Sequence, residues 1–289
     1  MSKSLKHPTT FQQQIAILEN RNIIVSNHTF AETFLSHTNY YRFSGYILPF
    51  YNSIHKQNLP AVRFEQIAGV YSFDEKLRSL LFAVIEKIEI YLRTQIAYYS
   101  AHHYGPDGYM DANNFNNKHN HVKFQNLLKK VIDDNRKSPV VRHHNINYGG
   151  KFPIWVIIDY FTLGMLSYYF TDMKNRDKAA LASNMYNVNY QVVSSWLRCL
   201  TDLRNRCAHY SRLYYWKFPA IPKMPKGETY KSDRTLFSQI YMLKYLYPDK
   251  KTWEKDFVKP LASLMKKYKR YISKDDIGFP YRWKSMLLK

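Results

Sequence analysis

The sequence predicts an all-α protein, because apolar residues recur at helical spacing along most of the chain and strand-like alternation is scarce. The longest such pattern covers residues 64–102. It exceeds the usual length of a helix in a globular protein, so we expect it to be kinked or split around residues 72–74. Its apolar positions are Ile67, Val70, Tyr71, Leu77, Leu81, Val84, Ile85, Ile88 and Leu92.

The other elements follow from the same spacing and from turn residues. Thr9 or Thr10 is placed to cap a first helix, and Phe30 and Phe34 mark a second. Two polar stretches, 104–120 and 135–150, are predicted as loops, and residues 216–229, which hold three prolines, as an extended crossing. Further helices are predicted near residues 122–134, 153–170 (opened by Pro153), 174–187, 190–208, 232–247 and 252–271.

Composition indicates a polyanionic partner. The 289 residues suffice for one large domain or two small ones, and 43 Lys and Arg against 22 Asp and Glu give a net charge of +21. Such a surplus favours binding to phosphates, and the 26 Tyr, 17 Phe and 5 Trp interleaved with it suit stacking on single-stranded RNA bases. The alternative is that the aromatic residues fill helix packing and the charge maintains solubility.

The two cysteines and the apolar segments predict a reduced, cytoplasmic protein. Cys199 and Cys207 lie in one predicted helix, eight residues apart, too far to form a disulfide and without metal-ligand spacing. We expect no signal peptide at residues 1–8. Residues 153–170, the most apolar stretch, are too short and too polar to span a bilayer, so no membrane partner is expected.

The most informative stretch is Thr201-Asp-Leu-Arg-Asn-Arg-Cys-Ala-His-Tyr210. Trp196, Leu200, Leu203 and Cys207 form one apolar helix face, and at about 100° per residue Asn205 and His209 lie nearly in line, with Arg204 on the flank. A base of near-neutral pKa and a fixed cation are what cleavage of RNA by its own 2′-hydroxyl requires. The alternative is an ordinary solvated helix face.

Polar residues elsewhere are predicted to support this site or to bind RNA. Glu86, Glu89 and Arg93 share one helix face, where they either orient Arg204 or His209 or form ordinary intrahelical ion pairs. Asp202 is a second supporting candidate. The histidines at 102, 103, 119 and 121 lack partners at ligand spacing, so neither a metal site nor a cofactor is expected. The residues predicted to contact RNA are Arg42, Arg142, His143, His144, Arg206 and Arg212.

Several blocks resemble bacterial abortive-infection proteins of the AbiD/AbiF type. Asn39-Tyr-Tyr-Arg-Phe-Ser-Gly-Tyr46 is similar to that family's Asn-Tyr-Tyr-Arg-Leu-Ser-Gly-Tyr block, and Arg204-Asn-x-x-x-His209 resembles the Arg-x-x-x-x-His motif of HEPN ribonucleases. Tyr210 departs from the second His that is frequent in the family. Further blocks in the family's order are Phe64–Ile67 with Tyr71–Arg78, Ile85–Arg93, Pro153–Trp155 with Leu163-Gly164, Arg204–Leu213, and Ile277–Pro280 with Trp283.

The resemblance implies a HEPN-like helical core at residues 56–215, with a helical extension at 1–55 and a C-terminal helical segment at 216–289 that packs on the core. It also implies a metal-independent endoribonuclease that acts in phage defence, with Arg204 and His209 catalytic, Asn205 positioning them, and a homodimer that completes the site. The alternatives are a non-catalytic RNA-binding protein that holds a small structured RNA, or a toxin neutralised by an antitoxin RNA or protein.

Overall fold

The computed structural model describes residues 5, 7–52, 57–58 and 61–289, and this part of the chain is all-α, with 66% helix and four strands of two residues each. The strands are β1 (Ile23–Ile24), β2 (Tyr51–Asn52), β3 (Gln57–Asn58) and β4 (Val62–Arg63). The α-helices are α1 (Phe11–Glu19), α2 (His28–His37), α3 (Tyr40–Ser44), α4 (Phe64–Tyr104), α5 (His121–Asp134), α6 (Pro139–Asn147), α7 (Ile154–Ile157), α8 (Leu163–Asp172), α9 (Asn175–Tyr186), α10 (Tyr190–Ala208), α11 (Leu236–Leu246), α12 (Lys259–Lys267) and α13 (Trp283–Leu288).

Helix α4 is the axis of the fold. It runs without interruption for 41 residues, about 60 Å at 1.5 Å per residue, so the expectation that the helix is split near residues 72–74 is wrong. Asp74, within this stretch, is buried and pairs with Arg78 one turn later. Five helices pack on α4, four from the middle of the chain and one from its C-terminal part: α7, α8, α9, α10 and α12.

Helix α10 carries the predicted functional stretch and ends where the sequence predicted. Asn189 caps it by accepting a hydrogen bond from the backbone N–H of Gln191 at 2.8 Å. Trp196, Leu200 and Leu203 are fully buried, which confirms the predicted apolar face. The helix stops at His209 because Tyr210 has a φ of +54°, the left-handed region that cannot continue a right-handed helix.

The first helix is capped at one of the two predicted residues, and side chains cap both N-terminal helices. Thr10 forms a capping box with Gln13, and Asn27 caps α2 by accepting from the N–H of Phe30 at 2.8 Å. The parallel pairing of β1 with β4 connects this region to the start of α4. The boundary predicted between residues 55 and 56, like residues 1–4 of the predicted extension, lies outside the described residues.

Two predicted elements were wrong. Residues 135–150 were expected to be a loop but contain α6, which has Pro139 in its first turn. Only Val141 and His144 of α6 are buried, so the helix had little apolar periodicity to detect. Residues 153–170 were expected to form one helix opened by Pro153, but Pro153 is the N-cap of the four-residue α7, and Thr162 caps a new helix, α8.

The C-terminal segment packs on the same core. Residues 216–229 contain neither helix nor strand, and α11 follows with nine buried residues. One cluster of buried apolar residues runs from Ile15 to Leu287. Cys199 and Cys207 are buried and free, as predicted, and burial raises the pKa of both thiols to about 12. In the part of the chain that the structure describes, no helix is both long and apolar enough to cross a membrane.

Candidate active site at the end of helix α10

Arg204 lies in the last turn of α10 and faces α4. Its Nε is 3.6 Å from Oε2 of Glu89, and its guanidinium carbon lies 5.9 Å from the centre of the Phe82 ring. The Nε atom is buried and forms no hydrogen bond with any described residue, whereas 33% of the side chain is exposed. The guanidinium is therefore held against a carboxylate and a ring while part of it stays open to solvent.

Glu89 and Arg93 form the support behind Arg204. Arg93 donates a hydrogen bond to Oε1 of Glu89, and its side chain also donates to the backbone oxygens of Phe161, at 2.7 Å, and Ile158. Glu89 and Arg93 are 13% and 12% exposed. Arg93 is thus fixed to the break between α7 and α8, and Glu89 bridges it to Arg204. Glu89, Arg93 and Arg204, all named from the sequence, therefore lie in contact in the structure.

His209 and Asn205 are both exposed at the end of α10. The N–H of His209 donates to the backbone oxygen of Asn205 at 2.9 Å, so the two residues lie one turn apart, a rise of about 6 Å. Within the described ranges, neither side chain forms a hydrogen bond or an ion pair. An imidazole without an internal partner is free to exchange a proton with a ligand.

The chain that follows His209 is clasped by the segment around α3. Arg42 donates a side-chain hydrogen bond to the backbone oxygen of Tyr210, and Arg212 donates one to the backbone oxygen of Gly45. Arg42 and Arg212, predicted to contact RNA, therefore both have internal partners. These contacts bring Asn39–Tyr46, the segment with the Asn-Tyr-Tyr-Arg sequence described above, to the turn beside His209.

A fully buried ion pair completes this clasp, and the sequence analysis missed it. Asp74 is 0% exposed and accepts hydrogen bonds from the Tyr46 hydroxyl at 2.6 Å, from Arg78 at 2.8 Å, and from the backbone N–H groups of Leu213 and Tyr214 at 2.9 and 3.0 Å. Burial, together with the charge of Asp74, raises the pKa of Tyr46. An Asp–Arg pair one turn apart on the apolar face of a helix was the signal that would have revealed this network.

Asp202 and Arg206 form a second pair on α10, separate from Arg204. Their closest charged atoms, Asp202 Oδ2 and Arg206 Nε, are 3.7 Å apart, and the guanidinium of Arg206 stacks on Trp216 at 3.4 Å from the ring centre. Burial lowers the pKa of Arg206, and its Nη1 donates to the backbone oxygen of Arg212 at 3.2 Å. The pair thus secures the segment after α10.

The remaining predicted residues form no hydrogen bond or ion pair with Arg204 or His209 in the described part of the chain. Glu86 is exposed on α4 and forms no ion pair with a described residue. Arg142 and His143 are exposed on α6, whereas His144 is 9% exposed and stacks on Phe152, with 5.1 Å between ring centres. His144 therefore belongs to the packing of α6.

The histidines at 119 and 121 bond to one another and to neighbouring side chains. His119 bonds Asp172 at 2.9 Å and His121 at 3.2 Å, and it stacks on Phe115. Among residues 5, 7–52, 57–58 and 61–289, no group of three or more His, Cys, Asp or Glu side chains is arranged to hold a metal ion.

Comparison with known proteins identifies the family. Residues 33–215 match the model of the Abi-like protein family, a range that includes α4, α10, the clasp around α3 and both Arg204 and His209. The chain belongs to the Abi-like family. No curated protein and no solved structure matches it. Membership of the Abi-like family implies a role in abortive infection, a defence against phage.

Proposed function

We propose that this Abi-like protein, of the AbiD/AbiF type with a HEPN core, is a metal-independent endoribonuclease that acts in phage defence. The observation that carries the proposal is the end of α10. There, a partly exposed arginine, secured by Glu89 at 3.6 Å, lies five residues, about one and a half turns, before an exposed histidine whose side chain has no hydrogen-bond or ion-pair partner among the described residues. A fixed cation beside a free base is the minimum needed for attack of a ribose 2′-hydroxyl on its own phosphate.

In the proposed reaction, His209 accepts the proton of the 2′-hydroxyl or donates one to the 5′-oxygen that leaves. Arg204 neutralises the charge that develops on the scissile phosphate, and Asn205 holds the phosphate or the imidazole in position. The 2′-oxygen bonds to phosphorus as the bond to the 5′-oxygen breaks. The products are a 2′,3′-cyclic phosphate and a 5′-hydroxyl.

The surroundings of Arg204 favour this function over a solvated helix face. An arginine on a solvated helix face needs no ion-pair partner. Arg204, in contrast, pairs with Glu89, which also accepts a hydrogen bond from Arg93. Arg93 in turn donates to the backbone oxygen of Phe161. Two guanidinium groups share one carboxylate in this arrangement. Their positive charge therefore exceeds the negative charge between them, which leaves Arg204 suited to binding an anion.

The proposal includes a homodimer formed through the face that bears Arg204. Phe82 and Ile90 on α4 are 39% and 58% exposed, and the centre of the Phe82 ring lies 5.9 Å from the guanidinium carbon of Arg204. Exposed apolar side chains around the proposed site favour a protein partner. A dimeric mass in light scattering, lost on Ile90→Asp substitution, is the expected result. A monomer that still cleaves RNA would exclude a composite site.

Substitution of the proposed base tests the function. His209→Ala should abolish RNA cleavage by the purified protein without changing its melting temperature, because the side chain is exposed and forms no hydrogen bond or ion pair with a described residue. The matched control is His103→Ala, which removes an exposed histidine on α4 about 21 Å along the helix from Glu89. Cleavage by His209→Ala at the wild-type rate would overturn the assignment.

The same preparations separate the alternatives. A chain that binds RNA but leaves it intact in wild-type form would be an RNA-binding protein that holds a structured RNA. A chain that becomes active only after a co-purifying RNA or protein is removed would be a toxin under the control of an antitoxin.

A further inference from the structure

A groove lined by basic, hydroxyl and amide side chains lies between α8, α10 and the segment 216–229. It has a volume of about 840 Å³. Its charged lining consists of Arg198, Lys223 and Arg234, and none of the described residues that line it is acidic. Hydroxyl and amide side chains, including Ser194 and Gln191, supply most of the remaining lining.

The three cations of the groove form no ion pair with any residue that the structure describes. All three side chains are exposed. Elsewhere on α10 the cations are paired: Arg204 lies against Glu89 and Arg206 against Asp202. A groove with unpaired cations and hydrogen-bonding side chains fits a chain of phosphates.

An exposed aromatic ring lies at the side of this groove. Tyr168 on α8 is 67% exposed, and the Nζ of Lys123 lies 5.9 Å from the centre of its ring. A tyrosine ring this open beside a phosphate track offers a surface on which a base can stack. Paired bases of a duplex are already stacked on one another, so the combination favours a single strand.

The wall of the groove is fixed in place. The indole N–H of Trp196 donates to the backbone oxygen of Lys223 at 2.7 Å, and the N–H of Lys223 donates to the Ser195 hydroxyl at 2.9 Å. Gln239 donates to the backbone oxygen of Ala220 at 3.1 Å. The segment 216–229 is therefore bound to α10 and α11, and the groove exists before any ligand arrives.

The groove follows the face of α10 that leads to the proposed catalytic residues. At about 100° per residue, Gln191, Ser194 and Arg198 fall within about 40° of Asn205 around the helix, opposite the buried face. Arg198 and Asn205 are separated by about 10 Å along the axis. A strand that occupies the groove therefore continues directly to Asn205 and His209.

We propose that this groove binds the phosphate backbone of single-stranded RNA and guides it to the end of α10. Arg198, Lys223 and Arg234 neutralise phosphates, and Tyr168 stacks on a base. The part of this inference that concerns guidance of the RNA toward the end of α10 rests on the proposed nuclease function. The binding itself does not depend on cleavage and is therefore measured separately.

The test measures affinity for an RNA that the protein cannot cut. The probe is a fluorescent single strand of roughly 12 nucleotides with 2′-O-methyl groups on every ribose, a length within the usual range of single-strand sites. Its binding is followed by anisotropy at several salt concentrations. The triple variant Arg198→Ala, Lys223→Ala, Arg234→Ala should bind at least about tenfold more weakly, and its salt slope should fall by about 2.

A variant with the same loss of charge elsewhere is the control. Lys266→Ala, Lys269→Ala, Lys284→Ala removes three cations from a lysine cluster on the C-terminal helices. Its affinity should fall much less than that of the groove variant. Tyr168→Ala should weaken binding about fivefold or more, and Tyr168→Phe should not, because the phenylalanine ring still stacks.

The outcomes separate the groove from the active site. Three results would overturn the groove proposal. They are an equal loss of affinity in the two triple variants, no loss of affinity in the groove variant, and tighter binding of double-stranded RNA than of the single-stranded probe. If the groove variant loses affinity but the wild type never cleaves RNA, the groove proposal stands and the proposed nuclease function fails.

Discussion

Two carboxylate–arginine pairs on helix α4 have opposite characters. Asp74 and Arg78 are 0% and 5% exposed, and Asp74 accepts hydrogen bonds from four donors. Glu89 lies four turns further along α4, contacts both Arg93 and Arg204, and leaves the Nε of Arg204 without a hydrogen bond among the described residues. The first network is closed to solvent, and the second is open at Arg204.

The difference shows what each pair does. A buried carboxylate with every acceptor position in use holds segments together, in this case α4, the α3 region and the chain after His209. An arginine left partly exposed, with a buried nitrogen that lacks a partner, is held in a position from which it can bind an anion. Loss of the first pair should therefore affect stability, and loss of Arg204 should affect activity.

The largest effect on stability should come from the closed network. Asp74→Ala leaves Arg78, the Tyr46 hydroxyl and two backbone N–H groups buried without an acceptor, and should lower the free energy of unfolding by about 3–5 kcal/mol. Urea unfolding measures this change in the free energy of unfolding. The control Asp134→Ala, at an exposed position on α5, should change it by less than about 0.5 kcal/mol. The structural role of the network would be refuted if the free energy of unfolding of Asp74→Ala were within about 1 kcal/mol of the wild-type value.

Arg204→Ala should produce the next largest effect, on the rate of cleavage. Loss of a fixed cation at the developing charge should lower kcat by about 10²–10³-fold. The free energy of unfolding should change by no more than about 1 kcal/mol, because the side chain is a third exposed and its ion pair is long. Arg204→Lys retains the charge without the planar guanidinium and should recover part of the rate. A loss of stability similar to that of Asp74→Ala would remove the contrast between the two pairs.

Glu89→Gln should have the smallest of the three effects. The amide no longer attracts Arg204 or Arg93, so the guanidinium is less well positioned and kcat should fall about tenfold. Affinity for RNA should not fall, because a negative charge has been removed. Separate determination of kcat and KM checks this, with Glu75→Gln, exposed on α4, as the control. A rise in KM at unchanged kcat would mean that Glu89 does not position Arg204.

Residues with regular apolar spacing were predicted well from the sequence. The limits of α10 and its buried face follow directly from Trp196, Leu200, Leu203 and Cys207. Glu89 and Arg93 were named either as support for Arg204 or His209 or as an ordinary intrahelical ion pair, and the structure contains both the intrahelical pair and a contact from Glu89 to Arg204. Helix α6 was missed because it buries only two side chains.

Contacts between distant segments were beyond what spacing reveals. Tyr46 lies 28 residues before Asp74, and Leu213 lies 139 residues after it, so no local pattern joins them. Arg42, Arg206 and Arg212 were predicted as RNA contacts because they are basic, yet each has an internal partner. The groove residues Lys223 and Arg234 were missed, since only the folded path of the chain after α10 places them beside that helix.

Analysis of the ends of cleaved RNA in excess EDTA tests the central claim most directly. Attack by the internal 2′-hydroxyl needs no metal-bound water. We therefore expect the wild type to cleave under these conditions, and mass spectrometry to show 2′,3′-cyclic phosphates and 5′-hydroxyls. The same sample prepared with His209→Ala should show neither. Strict dependence on a divalent ion, or products with 5′-phosphates, would contradict catalysis by Arg204 and His209.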